Sequence, residues 1–169
     1  MRRFGWGLVA VAALGFVIAA TVWADEEKID LDKVPKAVLD AVKAKFPDAK
    51  LTGASKEKGD DGKEIYEVAF TFKDHKYEAE LMPDGTFIAI DKVLDVKELP
   101  KEVVKTLEEK YPKAKYDVIE EVTKKDKIEH YEIELTTADK KKIEVLIDPS
   151  GKVIKEEKKE EKKEEKKDK

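Results

Sequence analysis

Apolar residues recur at helical spacing in two stretches of the chain. Each stretch starts at a Val-Pro or Leu-Pro pair and ends at an aromatic residue that precedes another proline. Proline fits the first turn of a helix, where its missing amide has no partner, and it disfavours the helical conformation in the residue before it. We therefore predict two short amphipathic helices, with apolar faces formed by Val34, Val38, Val42 and Phe46, and by Leu99, Val103, Leu107 and Tyr111.

Polar and apolar residues alternate in the segments that follow each predicted helix. Tyr66, Val68 and Phe70 would share one side of a strand, with Glu67 on the other side. Such alternation is typical of antiparallel strands that bury one face, and the Asp-Gly and Ser-Gly pairs at 84–85 and 150–151 favour turns. We expect four strands after each helix, around 50–57, 66–72, 76–81 and 86–93, and around 115–123, 130–136, 143–148 and 152–155.

The two halves of the chain repeat each other at an offset of 65 residues. KFPDAK at 45–50 returns as KYPKAK at 110–115, and the strand patterns and turn glycines follow in the same order. This order indicates a duplicated supersecondary unit. We predict an α+β fold in which two tandem α-β-β-β-β repeats, 33–96 and 97–155, form one eight-stranded antiparallel sheet with both helices on one face.

The N-terminus has the pattern of a secretory signal peptide. Arg2 and Arg3 precede an apolar run at 8–22, and a small residue at Ala24 is followed by acidic residues. We expect cleavage after residue 24 and an exported protein, periplasmic or secreted, with no membrane span after cleavage. An uncleaved anchor is the alternative, although the run is shorter than the roughly 20 residues of a spanning helix.

Two further segments lie outside the repeats. Residues 25–32 are expected to be an N-terminal linker. The last residues, 156–169, repeat Glu and Lys with a period of four, so that residues four apart carry like charges. Like charges at this spacing destabilise a helix, and we predict a charged disordered tail.

Composition after cleavage narrows the class of partner. Cleavage removes Arg2 and Arg3 from the 35 Lys and Arg residues of the chain and leaves all 39 Asp and Glu residues, so the remaining chain is acidic. The chain contains no Cys. An acidic chain is a poor match for nucleic acid, so nucleic acid is not expected as a partner. The chain can form no disulfide.

The pattern of Val-Pro, amphipathic helix, aromatic-Pro-x-Ala, Tyr-x-Val strand and Asp-Gly turn resembles the PepSY-like proteins, in the group likened to the β-lactamase-inhibitor fold. The resemblance covers about residues 31–155, in two copies. It implies a small non-enzymatic binding or inhibitory module of an exported protein, and it supplies no catalytic residue. Binding hot spots are enriched in Trp, Tyr and Arg. Trp and Arg are absent after residue 24, which argues against tight inhibition of a β-lactamase.

Residues suited to catalysis or metal binding are sparse. His75 and His130 lie in or near predicted hairpins without other ligands at metal spacing, and they are expected to be exposed structural residues. Ser55 and Ser150 lack a nucleophile motif, and Asp60-Asp61-Gly62 lacks the rest of a calcium loop. We predict no catalytic residue, no metal site and no cofactor.

Glutamates dominate the predicted polar side of the strands. A solvated acidic face could bind a basic segment of an envelope or extracellular protein, and this is the function we expect. The alternative is an envelope protein that binds Ca²⁺ or buffers stress without a dedicated protein partner. The candidate partner-binding residues are Glu67, Glu78, Glu80, Glu132, Glu134 and Glu144.

Overall fold

A computed structural model describes residues 27–59 and 61–159, and these form one antiparallel sheet with two helices. The sheet has nine strands that follow each other in chain order. This confirms the predicted α+β class and the single antiparallel sheet. The elements are β1 Glu27–Ile29, α1 Lys36–Lys45, β2 Lys50–Lys58, β3 Glu64–Phe72, β4 His75–Leu81, β5 Phe87–Val93, α2 Lys101–Lys110, β6 Lys115–Lys124, β7 Lys127–Thr136, β8 Lys142–Ile147 and β9 Val153–Lys159.

The repeated aromatic-Pro-x-Ala motif forms the turn between each helix and the strand that follows. In the first copy, Phe46–Ala49, the alanine amide donates a hydrogen bond to the carbonyl of the aromatic residue at 3.1 Å, and Asp48 has φ of 70°. In the second copy, Tyr111–Ala114, the distance is again 3.1 Å and Lys113 has φ of 62°. Proline followed by a residue of positive φ is the geometry of a type II turn. The motif therefore ends each helix and turns the chain back into the sheet.

A glycine in each repeat lets a strand turn touch the start of a helix. Gly85, between β4 and β5, has φ of +88°, and a Cβ atom there would lie 2.6 Å from the carbonyl oxygen of Ala37 in α1. Gly151, between β8 and β9, has φ of +85°, and its Cβ would lie 2.6 Å from the carbonyl oxygen of Glu102 in α2. Both the backbone conformation and the close approach require glycine. Each turn thus packs against its helix in the same way.

Two apolar clusters form the core, one for each repeat. In the first, Val38 and Val42 of α1 pack with Val68, Phe70 and other residues of β3 to β5. In the second, α2 packs with β6 to β8, and the buried residues include Val103, Leu107, Ile133, Leu135, Val145 and Ile147. The apolar helical positions predicted from the sequence are the ones that enter these clusters.

Two segments predicted to lie outside the sheet are part of it. Residues 27–29, in the predicted linker, form β1 and pair with β2, which makes nine strands instead of eight. Residues 156–159, in the predicted disordered tail, belong to β9 and pair with β8. The prediction of disorder was wrong for these four residues. Like charges four residues apart weaken a helix, but they do not prevent a strand, and the edge of β8 offers this segment backbone hydrogen bonds. Residues 160–169 and the predicted signal peptide, 1–24, lie outside the described residues.

Candidate functional site

Carboxylates from both repeats share one face of the sheet. Directly opposite pairs in the strand register are Glu67 with Glu80, and Glu134 with Glu144. Residues paired across an antiparallel ladder point to the same face. The register brings together all six glutamates predicted from the sequence and adds Asp91 and Glu120, which are opposite Glu78 and Glu132 respectively. We call this set the acidic face: Glu67, Glu78, Glu80, Asp91, Glu120, Glu132, Glu134 and Glu144.

The acidic face is far less exposed than the sequence predicts. Glu120 and Glu144 are each 4% exposed, and Glu80, Asp91 and Glu132 are also buried. Glu67, Glu78 and Glu134 are half-buried. The expectation of a fully solvated face is therefore wrong. These residues lie on strands with neighbours on both sides, about 4.8 Å apart, so that their long side chains cover one another.

Lys159, in β9, places an ammonium group against two of these carboxylates. Its Nζ lies 2.7 Å from Oε2 of Glu144 and also contacts Glu134. Glu144 is buried at this contact, whereas Glu134 and Lys159 are each about one-third exposed. The C-terminal strand thus supplies a cation to one end of the acidic face.

Burial and mutual repulsion make several of the carboxyls weak acids. Burial, followed by the charges of Asp91 and neighbouring glutamates, raises the pKa of Glu120 to about 9. Burial and the charge of Glu144 raise the pKa of Glu132 to about 8. Burial raises the pKa of Glu80 to about 7 and that of Asp91 to about 6. The face therefore holds protons at neutral pH that its carboxyls would release in water.

Buried oxygen atoms of Asp91, Glu120 and Glu144 lack a hydrogen-bond partner among the described residues. They are Oδ1 of Asp91, Oε1 of Glu120 and Oε1 of Glu144. Buried polar atoms are normally hydrogen-bonded, so these three mark places where a donor is missing. Two of them, on Asp91 and Glu120, lie where the two repeats meet.

A cleft of about 590 Å³ opens at this junction. β5 pairs with β6 over only four residues, 90–93, after which the chain leaves the sheet toward α2. The gap that remains lies between the first repeat and the start of β6. Asp91 and Glu120 line the cleft together with apolar residues of both repeats, including Phe70, Tyr77 and Ile119.

Both histidines are less exposed than predicted. The ring Nδ1 of His75 lies 3.1 Å from the Val93 carbonyl oxygen, and its Nε2 lies 3.5 Å from Glu98. Only 11% of the His130 side chain is exposed, and this burial lowers its pKa. The expectation that they are exposed is therefore wrong, because each packs against a neighbouring element.

Within residues 27–59 and 61–159, no group of three or more His, Asp or Glu residues is arranged to hold a metal ion. The predicted Ca²⁺-binding alternative therefore gains no support from these residues. Ser55 is 5% exposed in β2, and Ser150 hydrogen-bonds to Asp148 in a turn. Neither serine is in contact with a histidine in the described ranges.

Sequence reasoning missed Asp91 and Glu120 as members of the acidic face. Asp91 lies in β5, inside the strand predicted at 86–93, but only glutamates were predicted for this face. Glu120 lies in β6, where a register shift between Tyr116 and Val118 interrupts the alternation. Alternation within 118–122 was the one available signal, because Val118 and Val122 flank Glu120 on its own side of the strand.

Comparisons with solved structures show the same fold. A "putative periplasmic" protein from Bacteroides eggerthii superposes with a TM-score of 0.64 at 16% identity, over 74% of this chain and 88% of that one. A BLIP-like protein from Bacteroides fragilis gives a TM-score of 0.60 at 15% identity, over 76% and 88% of the two chains. At such identities the likeness establishes the fold alone. The search of curated proteins found no match.

The helices of the described part are too short and too polar to cross a membrane. A family model matches the chain in two regions, 19–71 and 64–155, which together span both repeats. Its description is "Putative beta-lactamase-inhibitor-like, PepSY-like". The chain therefore belongs to this PepSY-like, β-lactamase-inhibitor-like family.

Proposed function

We propose that this protein is a non-enzymatic, exported binding module that holds a basic segment of an envelope or extracellular protein on its acidic face. The contact between Lys159 and the Glu134–Glu144 pair carries the proposal. It is an example, within the chain itself, of an ammonium group bound by this face. A lysine of a partner would make the same kind of charge-assisted hydrogen bond elsewhere on the face.

The acidic face can serve a partner only if the helices leave it open, and we propose that both helices cover the other face. The register supports this arrangement. Ile90 of the first apolar cluster is opposite Thr123, its strand neighbour Lys92 is opposite Glu121, and Glu121 is opposite Tyr131 of the second cluster. The strand residues of both clusters therefore continue along one face, and the carboxylates alternate with them.

Only part of the acidic face can touch a partner directly. The half-buried Glu67, Glu78 and Glu134 reach the surface, and their buried neighbours add negative potential beneath them. Charge complementarity of this kind speeds association and excludes acidic partners, and salt screens it. The proposal therefore requires a basic partner and salt-sensitive binding.

Four further points support export and a role without catalysis. The predicted signal peptide and the "periplasmic" description of a structural neighbour support export. Membership of an inhibitor-like family supports a binding role. The two histidines contact a backbone carbonyl and glutamates, an arrangement that activates no nucleophile in the described ranges.

Affinity capture tests the proposal. The immobilised protein should retain a basic protein from envelope extract at low salt and release it at high salt. The double variant Glu67→Gln/Glu134→Gln should lose this retention, because both side chains reach the surface of the acidic face. The matched control, Glu108→Gln/Glu109→Gln, removes the same charge from the exposed side of α2 and should retain the partner. Equal retention by both variants would contradict the proposal.

A further inference from the structure

We propose that the cleft between the two repeats is a binding site for a small organic cation, namely a primary ammonium or guanidinium group on an apolar stem. This proposal does not depend on the protein-binding role proposed above. The cleft contains Glu78, Asp91 and Glu120 of the acidic face, but neither Glu67 nor Glu134, the two residues changed in the capture experiment, lines it.

The size and walls of the cleft suit a small molecule. Its volume of about 590 Å³ lies within the roughly 300–1,000 Å³ that is common for such sites. Apolar residues share the lining with the carboxylates, among them Val93, Val96 and Val118. An apolar stem in contact with these side chains would leave water, which favours binding.

The carboxylates of the cleft favour a ligand that is a positively charged hydrogen-bond donor. Five carboxylate residues line it, Glu78, Asp91, Asp95, Asp117 and Glu120, against one lysine, Lys76. Lysine side chains outside the cleft already pair with Asp95 and Asp117 near its rim. The deep pair, Asp91 and Glu120, is more than nine-tenths buried, and each has an oxygen without a partner in the described part of the chain.

The positions of Asp91 and Glu120 fit one shared cation. Asp91 is directly opposite Val122, and Glu120 lies two residues away from Val122 on the same face of β6. Side chains in such a diagonal pair are within reach of a common ligand. An ammonium has three donors and could satisfy both open oxygens, and its charge would favour the ionised form of both carboxyls.

A neutral or anionic ligand fits this arrangement less well. A neutral alcohol offers a single donor and no charge, and a carboxylate ligand would be repelled by the carboxyls. The relative affinities of cationic, neutral and anionic ligands therefore distinguish a cation site from a cleft that binds any apolar molecule. Hexylamine, hexanol and hexanoate share one stem and differ only in the head group, so they are matched probes.

Isothermal titration calorimetry of the purified protein with these three probes tests the proposal. We expect hexylamine to bind with a stoichiometry of one, hexanol at least tenfold more weakly, and hexanoate not measurably. Asp91→Asn and Glu120→Gln should each weaken hexylamine at least tenfold. Asp139→Asn, a control in the exposed turn between β7 and β8, should bind as the wild type does. Equal binding of hexylamine and hexanol, or no saturable heat with hexylamine, would overturn the proposal.

A further variant at the mouth of the cleft tests the site independently of whether Asp91→Asn and Glu120→Gln fold. Val96 lines the cleft and is 42% exposed, so the larger side chain of Val96→Trp can be accommodated at the mouth of the cleft. This variant should keep the wild-type melting temperature and lose hexylamine binding. Unchanged hexylamine binding in folded Val96→Trp would place the amine elsewhere and reject the cleft. Capture of a basic protein through Glu67 and Glu134 would be unaffected by that result.

Discussion

The Nζ atom of Lys159 lies 2.7 Å from Oε2 of Glu144, so the last described residue of the chain neutralises a carboxylate of a central strand. The contact joins β9 to β8 and also involves Glu134 of β7. It explains why the start of the Lys-Glu tail is ordered as a strand. The side chains of Lys155, Glu157 and Lys159 lie on the same side of the sheet as the acidic face, because Glu157 is directly opposite Glu144 in β8.

Lys159→Gln should destabilise the protein at neutral pH. The change leaves the buried Glu144 without its cation, and an unsatisfied buried acceptor costs about 1–3 kcal/mol of unfolding free energy. Chemical denaturation at pH 7 measures this loss. Lys158→Gln is the matched control, because Lys158 is exposed and opposite Ile143, off the acidic face. Equal loss in both variants would mean that the contact contributes nothing specific.

Stability should fall as pH rises from about 6 to 9, which is the reverse of ordinary acid denaturation. Burial and the neighbouring carboxylates raise the pKa of Glu120 from 4.5 to about 9. In that interval the folded chain holds a proton that the unfolded chain has released. The stabilisation that the protonated Glu120 adds to the free energy of unfolding is therefore fully present below pH 4.5, and it is lost as the pH rises through the pKa of the folded state.

Glu120→Gln isolates this effect, because Gln is nearly isosteric and does not ionise. We expect the variant to be more stable than the wild type at pH 9 and to show a smaller loss between pH 6 and 9. Thermal melts across this range provide the measurement. Glu109→Gln, at an exposed site on α2, should keep the wild-type slope. A wild-type melting temperature that does not fall over this range would refute the assignment.

The repeated turn motif has a residue of positive φ that is not glycine, and replacing it should stabilise the protein. Lys113 has φ of 62°, a conformation that costs a residue with a side chain roughly 1–2 kcal/mol relative to glycine. Lys113→Gly should therefore raise the free energy of unfolding by up to about 1 kcal/mol, since the added chain entropy of glycine offsets part of the gain. Lys110→Gly, in the last turn of α2, should instead lower it by about 1 kcal/mol. Denaturant titration distinguishes the two signs.

The turn glycines at the helix starts should tolerate no side chain. Gly85→Ala would combine strain at positive φ with a Cβ 2.6 Å from the Ala37 carbonyl oxygen. Gly62 also has positive φ, but a Cβ there would meet nothing within 4 Å. Gly62→Ala should therefore cost about 1 kcal/mol, and Gly85→Ala about 1–3 kcal/mol more, because the helix start must shift. Similar losses in the two variants would show that the helix does not press on the turn.

The sequence predicts the repeat, the helices and most strands because each depends on local periodicity and on proline or glycine at fixed positions. It also predicts six residues of the acidic face, since strand alternation assigns them to one side. Their burial depends on which strands are central and on the side chains of neighbouring strands, and this information is not local. The cleft could not be predicted for the same reason, because it lies where the first residues of β6 extend past the end of β5. β1 is three residues long and too short to show alternation.

The most direct test of the proposed function is to map a basic ligand onto the protein by NMR. Labelled protein titrated with an oligolysine peptide at low salt should show its largest amide shifts around Glu67, Glu78 and Glu134. The exposed surfaces of α1 and α2 should stay unchanged, and an oligoglutamate peptide should produce no shifts. Shifts centred on the helices, or equal shifts with both peptides, would contradict recognition by the acidic face.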